Sequence, residues 1–184
     1  RLDRAEAPPP PSRLGHAGGA RGVQKKLEQA VAEARAQHPD TPVEVWATDA
    51  HRIGLRPILR RVWAPKGQRP IALGHHRYKW LYVTAFVQPT SGETFWYISN
   101  GVSKPFVAAL LALFAREAGA GRDRIVVLGL DSAGWHTEPN LVVPDGIRPV
   151  YLPPYSPELQ PAEPLWPVLD EPLANQYFET LADL

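Results

Sequence analysis

The apolar and polar positions divide the chain into a polar leading stretch and a longer run of strand and helix signals. Residues 1–22 are poor in large apolar side chains and contain Pro8-Pro9-Pro10-Pro11 and Gly18-Gly19, the pattern of a flexible or extended linker. Residues 24–37 are rich in Ala, Glu, Lys and Gln, with Leu27, Val31 and Ala34 on one face; this predicts a helix closed by His38-Pro39. Strands are predicted over 43–48, over 60–64 ahead of a Pro65-Lys66-Gly67 turn, and over the aromatic and β-branched run 78–87. Pro89-Thr90-Ser91-Gly92 makes a hairpin turn, and 94–98 returns as a strand. Ser103 reads as an N-cap with Pro105 in the first turn of a helix. It runs to Ala118 with Phe106, Leu110, Leu113 and Phe114 inward, and Gly119 stops it. The fully apolar run 125–130 suits a buried central strand, and 149–152 a short one. A short helix is expected over 162–169, interrupted at Pro164 and Pro167, and the start of another over 178–184. Trp63, Trp80, Trp96 and Trp166 read as core residues. Three antiparallel strands followed by two that join in parallel through crossovers make a mixed α/β sheet.

At 184 residues the chain is long enough for one compact domain, and 44% hydrophobic with 21% charged residues is ordinary for a globular protein. No apolar stretch approaches the roughly 20 residues that span a bilayer. Cysteine is absent, which excludes disulfides and thiolate metal sites. Methionine is absent even at position 1, so the chain is expected to be a fragment.

The net charge of +1 hides an asymmetry. Residues 50–92 hold no Asp or Glu but eight basic residues: Arg52, Arg56, Arg60, Arg61, Lys66, Arg69, Arg77 and Lys79. Residues 131–184 hold nine acidic residues against one basic residue, Arg148. Such a pairing suits a phosphate-binding surface beside a metal pocket, or a solvated basic hairpin.

Three acids stand where catalytic carboxylates would be held. Asp49 ends the apolar run 43–48, Asp131 ends the run 125–130, and Glu163 opens the helical pattern after the proline-rich turn 152–157. Glu158 is the competitor for the third place, but it lies in the turn. Divalent Mg²⁺ prefers oxygen ligands and keeps several waters, so it needs few protein carboxylates. Two such ions about 4 Å apart can activate an attacking oxygen and stabilise a leaving one. Mn²⁺ substitutes, and without Cys or a zinc-type His cluster zinc is disfavoured.

Four segments carry a resemblance. They are Thr48-Asp49-Ala50-His51-Arg52-Ile53-Gly54-Leu55, Arg61-Val62-Trp63-Ala64-Pro65-Lys66-Gly67, Leu130-Asp131-Ser132-Ala133-Gly134-Trp135-His136, and residues 152–166 from Leu152-Pro153-Pro154-Tyr155-Ser156-Pro157 to Glu163-Pro164-Leu165-Trp166. In this order they resemble the catalytic domain of bacterial mariner-like insertion-sequence transposases, in the DDE transposase and retroviral-integrase superfamily. The likeness covers residues 40–184 and implies a ribonuclease-H-like fold with a mixed five-stranded sheet flanked by helices. In that fold the first acid lies on the first strand, the second at the end of the fourth, and the third on the last helix. The likeness further implies that Asp49, Asp131 and Glu163 bind two Mg²⁺ ions. The activity it implies is nicking of transposon-end DNA followed by strand transfer into target DNA, carried out by a homodimer or larger assembly in the bacterial cytoplasm at the nucleoid. Residues 1–39 are then the linker and helix from an N-terminal DNA-binding region. Arg60, Arg61, Lys66, Arg77 and Lys79 are expected on phosphates, and His136 either on scissile DNA or capping a local turn.

Two positions depart from the family pattern. Ala50 stands where Glu commonly follows the first Asp, and Ser132 where Asn or a similar residue follows the second. Ala50, with the ends expected to be missing, leaves standing a truncated remnant that binds DNA or transposase without catalysis; a stand-alone ribonuclease-H-like nuclease using the same metals is a second alternative to the transposase.

Overall fold

The computed structural model describes residues 13–184 except 68–69, 72, 75–76, 133–140 and 155, with side chains described from residue 20. A long helix α1 (Arg13–Gln37) precedes strand β1 (Val43–Gly54). Strands β2 (Trp80–Val87) and β3 (Thr94–Ser99) form a hairpin, and helix α2 (Lys104–Ala118) crosses to strand β4 (Ile125–Leu130). Strand β5 (Ile147–Tyr151) leads through a 3-10 turn (Pro157–Leu159) into the short helix α3 (Leu165–Asp170). The sheet order is β3-β2-β1-β4-β5, antiparallel across the first three strands and parallel across the last two pairings, as expected of a ribonuclease-H-like fold.

Period-two alternation decides which helix covers which face. Trp46, Phe86, Val126, Leu128 and Leu130 point to α2, whose Leu111 and Phe114 fill the main core. Phe114 stacks on Phe86 with ring centroids 4.0 Å apart and meets the edge of Trp46 at 5.3 Å. The intervening residues Val43, Val45, Ile125 and Val127 face the other way, against Leu27, Val31 and Ala34 of α1. Further along that second face, Ala47 and Val87 pack on Ala162 and Leu165 beside α3. Strand β4 is therefore covered on both sides, which is why its sequence is apolar without alternation. The α2 caps are those predicted: Ser103 Oγ accepts from the Phe106 N–H at 3.4 Å, and Gly119 takes a left-handed φ of 71°.

Several expectations are corrected. Helix α1 begins at Arg13, so residues 13–22 are not linker. Once residues 27–34 are docked on the sheet, each further residue extends an existing helix without nucleating one, and this outweighs the glycines. Strand β1 runs on to Gly54, because β2 pairs with it from Ala47 to Gly54; Asp49 is mid-strand, not at a strand end. No strand forms over 60–64 among the described residues. That segment lies in the exposed connection from β1 to β2, and no basic hairpin forms among the described residues. Leu113 of α2 is only half-buried; Val107, Leu111, Ala115 and Ala118 join Leu110 and Phe114 in the core. The expected strand over 149–152 spans Ile147–Tyr151. The helix expected over 162–169 is shorter, with Pro164 as its N-cap, and residues 178–184 form turns. Of the four tryptophans read as core, only Trp166 is buried; Trp63 is fully exposed, and Trp80 and Trp96 are exposed by about two-fifths (39% and 42%).

Candidate active site

The register of two parallel strands brings the two aspartates together. Ala47 of β1 pairs with Gly129 of β4, and Asp49 and Asp131 each follow two residues later. A two-residue step returns a side chain to the same face of a strand, so both carboxylates emerge on the α3 side where the sheet opens. Glu163 arrives from the opposite direction, in the turn that feeds α3. It is not borne on a helix as expected, because Pro161 and Pro164 bracket it and delay the first helical residue to Leu165.

Asp49, Asp131 and Glu163 line one cavity of about 390 Å³, walled by Ser132, residues 152–154 and 156–157, and Gln160. Among the described residues, no Lys, Arg or His lines it. Glu158 is not in the wall, so Glu163 is the third acid of this cleft. Burial pushes the Glu163 carboxyl above its usual range, the nearby Asp49 charge pushes it the same way, and His51 opposes them.

The walls are tied to the strands that carry the acids. Beyond Ala47 the ladder from β1 to β4 stops, and there the Gln160 side chain donates to the Thr48 carbonyl at 2.9 Å. Ser132 Oγ donates to the Leu152 carbonyl at 2.6 Å, while the Leu152 N–H donates to Leu130 O at 2.8 Å. The hydroxyl at position 132 thus fastens the proline-rich loop to the end of β4. Asp49 Oδ2 accepts from the Trp166 indole N–H at 2.8 Å. Sequence reasoning placed Trp166 in the core, where it is buried, and missed this bond.

Ala50 faces the other way. It lines a small cavity on the α2 side with Thr84, Val102 and Phe106, and is absent from the carboxylate cleft. The missing acid at this position therefore removes no group from the cleft.

Among the described residues, no three His, Cys, Asp or Glu side chains converge tightly enough to enclose an ion by themselves. The donor set nevertheless fits Mg²⁺ or Mn²⁺. It consists of hard carboxylate oxygens, and such ions take the rest of their shell from water and phosphate.

Arg60, Arg61, Lys66, Arg77 and Lys79 are all exposed on the connection between β1 and β2, and none lines the cleft. Its base is fastened to the end of the chain. The Arg60 N–H donates to Asn175 Oδ1 at 3.0 Å, and the Asn175 N–H to the Ile58 carbonyl at 2.9 Å. Arg52 lies over the Trp80 ring at 5.2 Å. His136, Trp135 and Arg69 fall outside the described residues. Among the described residues no helix is long and apolar enough to cross a membrane.

Residues 44–184 match the family model described as DDE superfamily endonuclease. The chain is 34% identical over 106 residues to the uncharacterized protein y4pE/y4sA of Sinorhizobium fredii, covering 57% of this chain and 77% of that one. Its fold is that of Mos1 in the crystal structure of the Mos1 strand transfer complex, with a TM-score of 0.58 at 16% identity over 99% of this chain. The Mos1 mariner paired-end complexes with Mn and with Mg match at TM-scores of 0.58 and 0.59, with 16% and 15% identity over 98% and 99% of this chain. The chain spans 56% of the length of these Mos1 chains.

Proposed function

This chain belongs to the DDE superfamily endonucleases, and from that premise we propose that it is the catalytic core of a DNA transposase. It nicks transposon-end DNA and joins the freed 3′-hydroxyl to target DNA, with Asp49, Asp131 and Glu163 as the metal-binding carboxylates. The observation that carries the proposal is the cleft itself: three acids from three distant parts of the chain line one cavity, and no Lys, Arg or His lines it among the described residues. The Mos1 complexes with Mn and with Mg support divalent metal here, and we assign two ions.

A bound pair of such ions would supply Lewis-acid activation of the attacking oxygen and charge stabilisation at the leaving one. The chain's own residues do the rest. Asp49 sits within β1 and Asp131 directly follows β4, each two residues past the last paired position of these neighbouring strands. Glu163 closes the cleft from the α3 side, where burial first and the Asp49 charge second raise its proton affinity, an effect a bound cation would oppose. The exposed cations of the β1–β2 connection, with the expected contribution of His136, hold the DNA backbone. That attraction is independent of sequence and sensitive to salt. A homodimer or larger assembly working in the cytoplasm, and the assignment of residues 1–39 to the connection from a DNA-binding region, belong to the same proposal.

Ala50 was one ground for reading the chain as an inactive remnant, and its side chain lies on the far face of β1. The active reading is therefore the one we adopt. Nicking of supercoiled plasmid in Mg²⁺ or Mn²⁺ tests it. The intact chain is expected to cut, and EDTA, Asp49→Ala, Asp131→Ala or Glu163→Ala to stop it. Joining of a labelled 3′-hydroxyl end to a second duplex separates a transposase from a stand-alone nuclease, which would cut without joining. Salt-sensitive DNA binding without any cutting would return the remnant reading.

A further inference from the structure

Trp166 and Asp170 lie four residues apart on α3, one helical turn or about 6 Å along the axis. Asp49 and His51 lie two residues apart on β1, about 6.7 Å along the strand and on one face. The two spacings match, and the four side chains meet in pairs. The Trp166 N–H donates to Asp49 Oδ2 at 2.8 Å, and His51 Nε2 meets Asp170 Oδ1 at 2.9 Å. The indole of Trp166 also lies flat on the His51 imidazole, with centroids 5.1 Å apart and planes 13° from parallel. Trp96 of β3 meets Trp166 in a T-shaped contact with centroids 6.2 Å apart. Trp166 is 5% exposed, so its ring has little room to turn.

Resting on the metal-site reading above, we propose that this lock makes Trp166, His51 and Asp170 positioning residues: it registers α3 on β1 and fixes the orientation of the Asp49 carboxylate as a metal ligand. An indole can only donate, so the Trp166 bond selects one rotamer of the Asp49 carboxyl. His51 and Asp170 hold the indole in the plane from which it reaches that oxygen. Glu163 precedes Trp166 by three residues, so the same lock brings the third carboxylate alongside the first. Groups that orient metal ligands from behind typically contribute about 10- to 100-fold in metal affinity.

Binding of Mn²⁺ to the intact chain, followed by electron paramagnetic resonance, tests this without any need for turnover. Trp166→Phe keeps the stacked ring and removes only the donor; it is expected to weaken Mn²⁺ binding roughly tenfold and to broaden the spectrum as ligand geometry loosens, with far-UV circular dichroism unchanged. Asp170→Ala, on the rim of the fold, is expected to weaken it about threefold, the lesser effect of a group one step further back. It carries the test if the Phe variant fails to fold. Asp49→Ala is the reference and should lose the site. If Asp49→Ala loses Mn²⁺ while both other variants bind as the intact chain does, the lock has no positioning role and the metal reading stands. If Asp49→Ala binds Mn²⁺ undiminished, the metal reading falls and the positioning role with it.

Discussion

The carboxylate cleft and the basic connection from β1 to β2 are built on opposite principles. Each acid of the cleft is set by a strand or by a bonded turn, and the walls are fastened by Gln160, Ser132 and Trp166. Arg60, Arg61, Lys66, Arg77 and Lys79 sit instead on exposed backbone, among apolar side chains that also face solvent, with Trp63 at 104% exposure. The contrast follows from what each task demands. Phosphoryl transfer needs oxygens held to within about 0.5 Å. Attraction to a phosphate backbone depends on charge density and counterion release and tolerates many arrangements of the same cations.

Replacing single residues in the two regions should separate these principles. The largest effect is expected in the cleft. Asp49→Asn, Asp131→Asn or Glu163→Gln should each lower plasmid nicking by about 1,000-fold or more, the several kcal/mol that a bound metal contributes to such a transition state. A gel assay measures this, and retention of cutting by any one variant would remove that residue from the site.

A stability pair sharpens the comparison next. Phe114→Ala, at the centre of the core, should cost about 3–5 kcal/mol in urea unfolding, whereas Trp63→Ala on the connection should change stability by less than about 0.5 kcal/mol. A large loss at Trp63 would mean that the connection is packed in solution.

In the connection, Arg60→Ala and Lys66→Ala should each weaken binding to duplexes of any sequence. Each should also lower the slope of log affinity against log salt by about 1 in fluorescence anisotropy. Selective loss for one sequence would mark a base contact instead.

The smallest effect concerns pH. The Glu163 carboxyl binds its proton more tightly in the folded chain than in an ordinary exposed carboxyl, by burial first and the Asp49 charge second. Its contribution favours folding at pH below the ordinary Glu range and is lost as pH rises through the raised value. Metal-free Glu163→Gln should therefore melt above the intact chain at neutral pH. The difference should vanish at about pH 3, below the ordinary Glu value of about 4.3. A lower melting point at neutral pH would contradict the assigned burial and repulsion.

How much of this was legible in the sequence depended on whether the signal was local. The caps of α2 and the unbroken apolar run of β4 name their own elements, and both formed as read. The far half of β1 did not announce itself. His51-Arg52 looks like the end of a strand until β2 pairs alongside; then His51 turns to α3, Arg52 reaches Trp80, and Ile53 is buried. Trp63 shows the opposite failure: a β-like word without a partner strand stays in solvent. The order of the three acids came from motifs and their meeting in one cavity from register, since Ala47 opposite Gly129 aligns residues far apart in sequence. The bond from Trp166 to Asp49 was beyond reach, because it needs the docking angle of a helix only six residues long.

The central claim is that Asp49, Asp131 and Glu163 form a divalent-metal site. Anomalous diffraction from crystals soaked in Mn²⁺ tests it most directly. The account predicts at least one strong peak in the cleft, within bonding distance of carboxylate oxygens from Asp49 and Asp131 and lost in Asp49→Asn crystals. Manganese bound elsewhere, with the cleft empty at saturating metal, would contradict it.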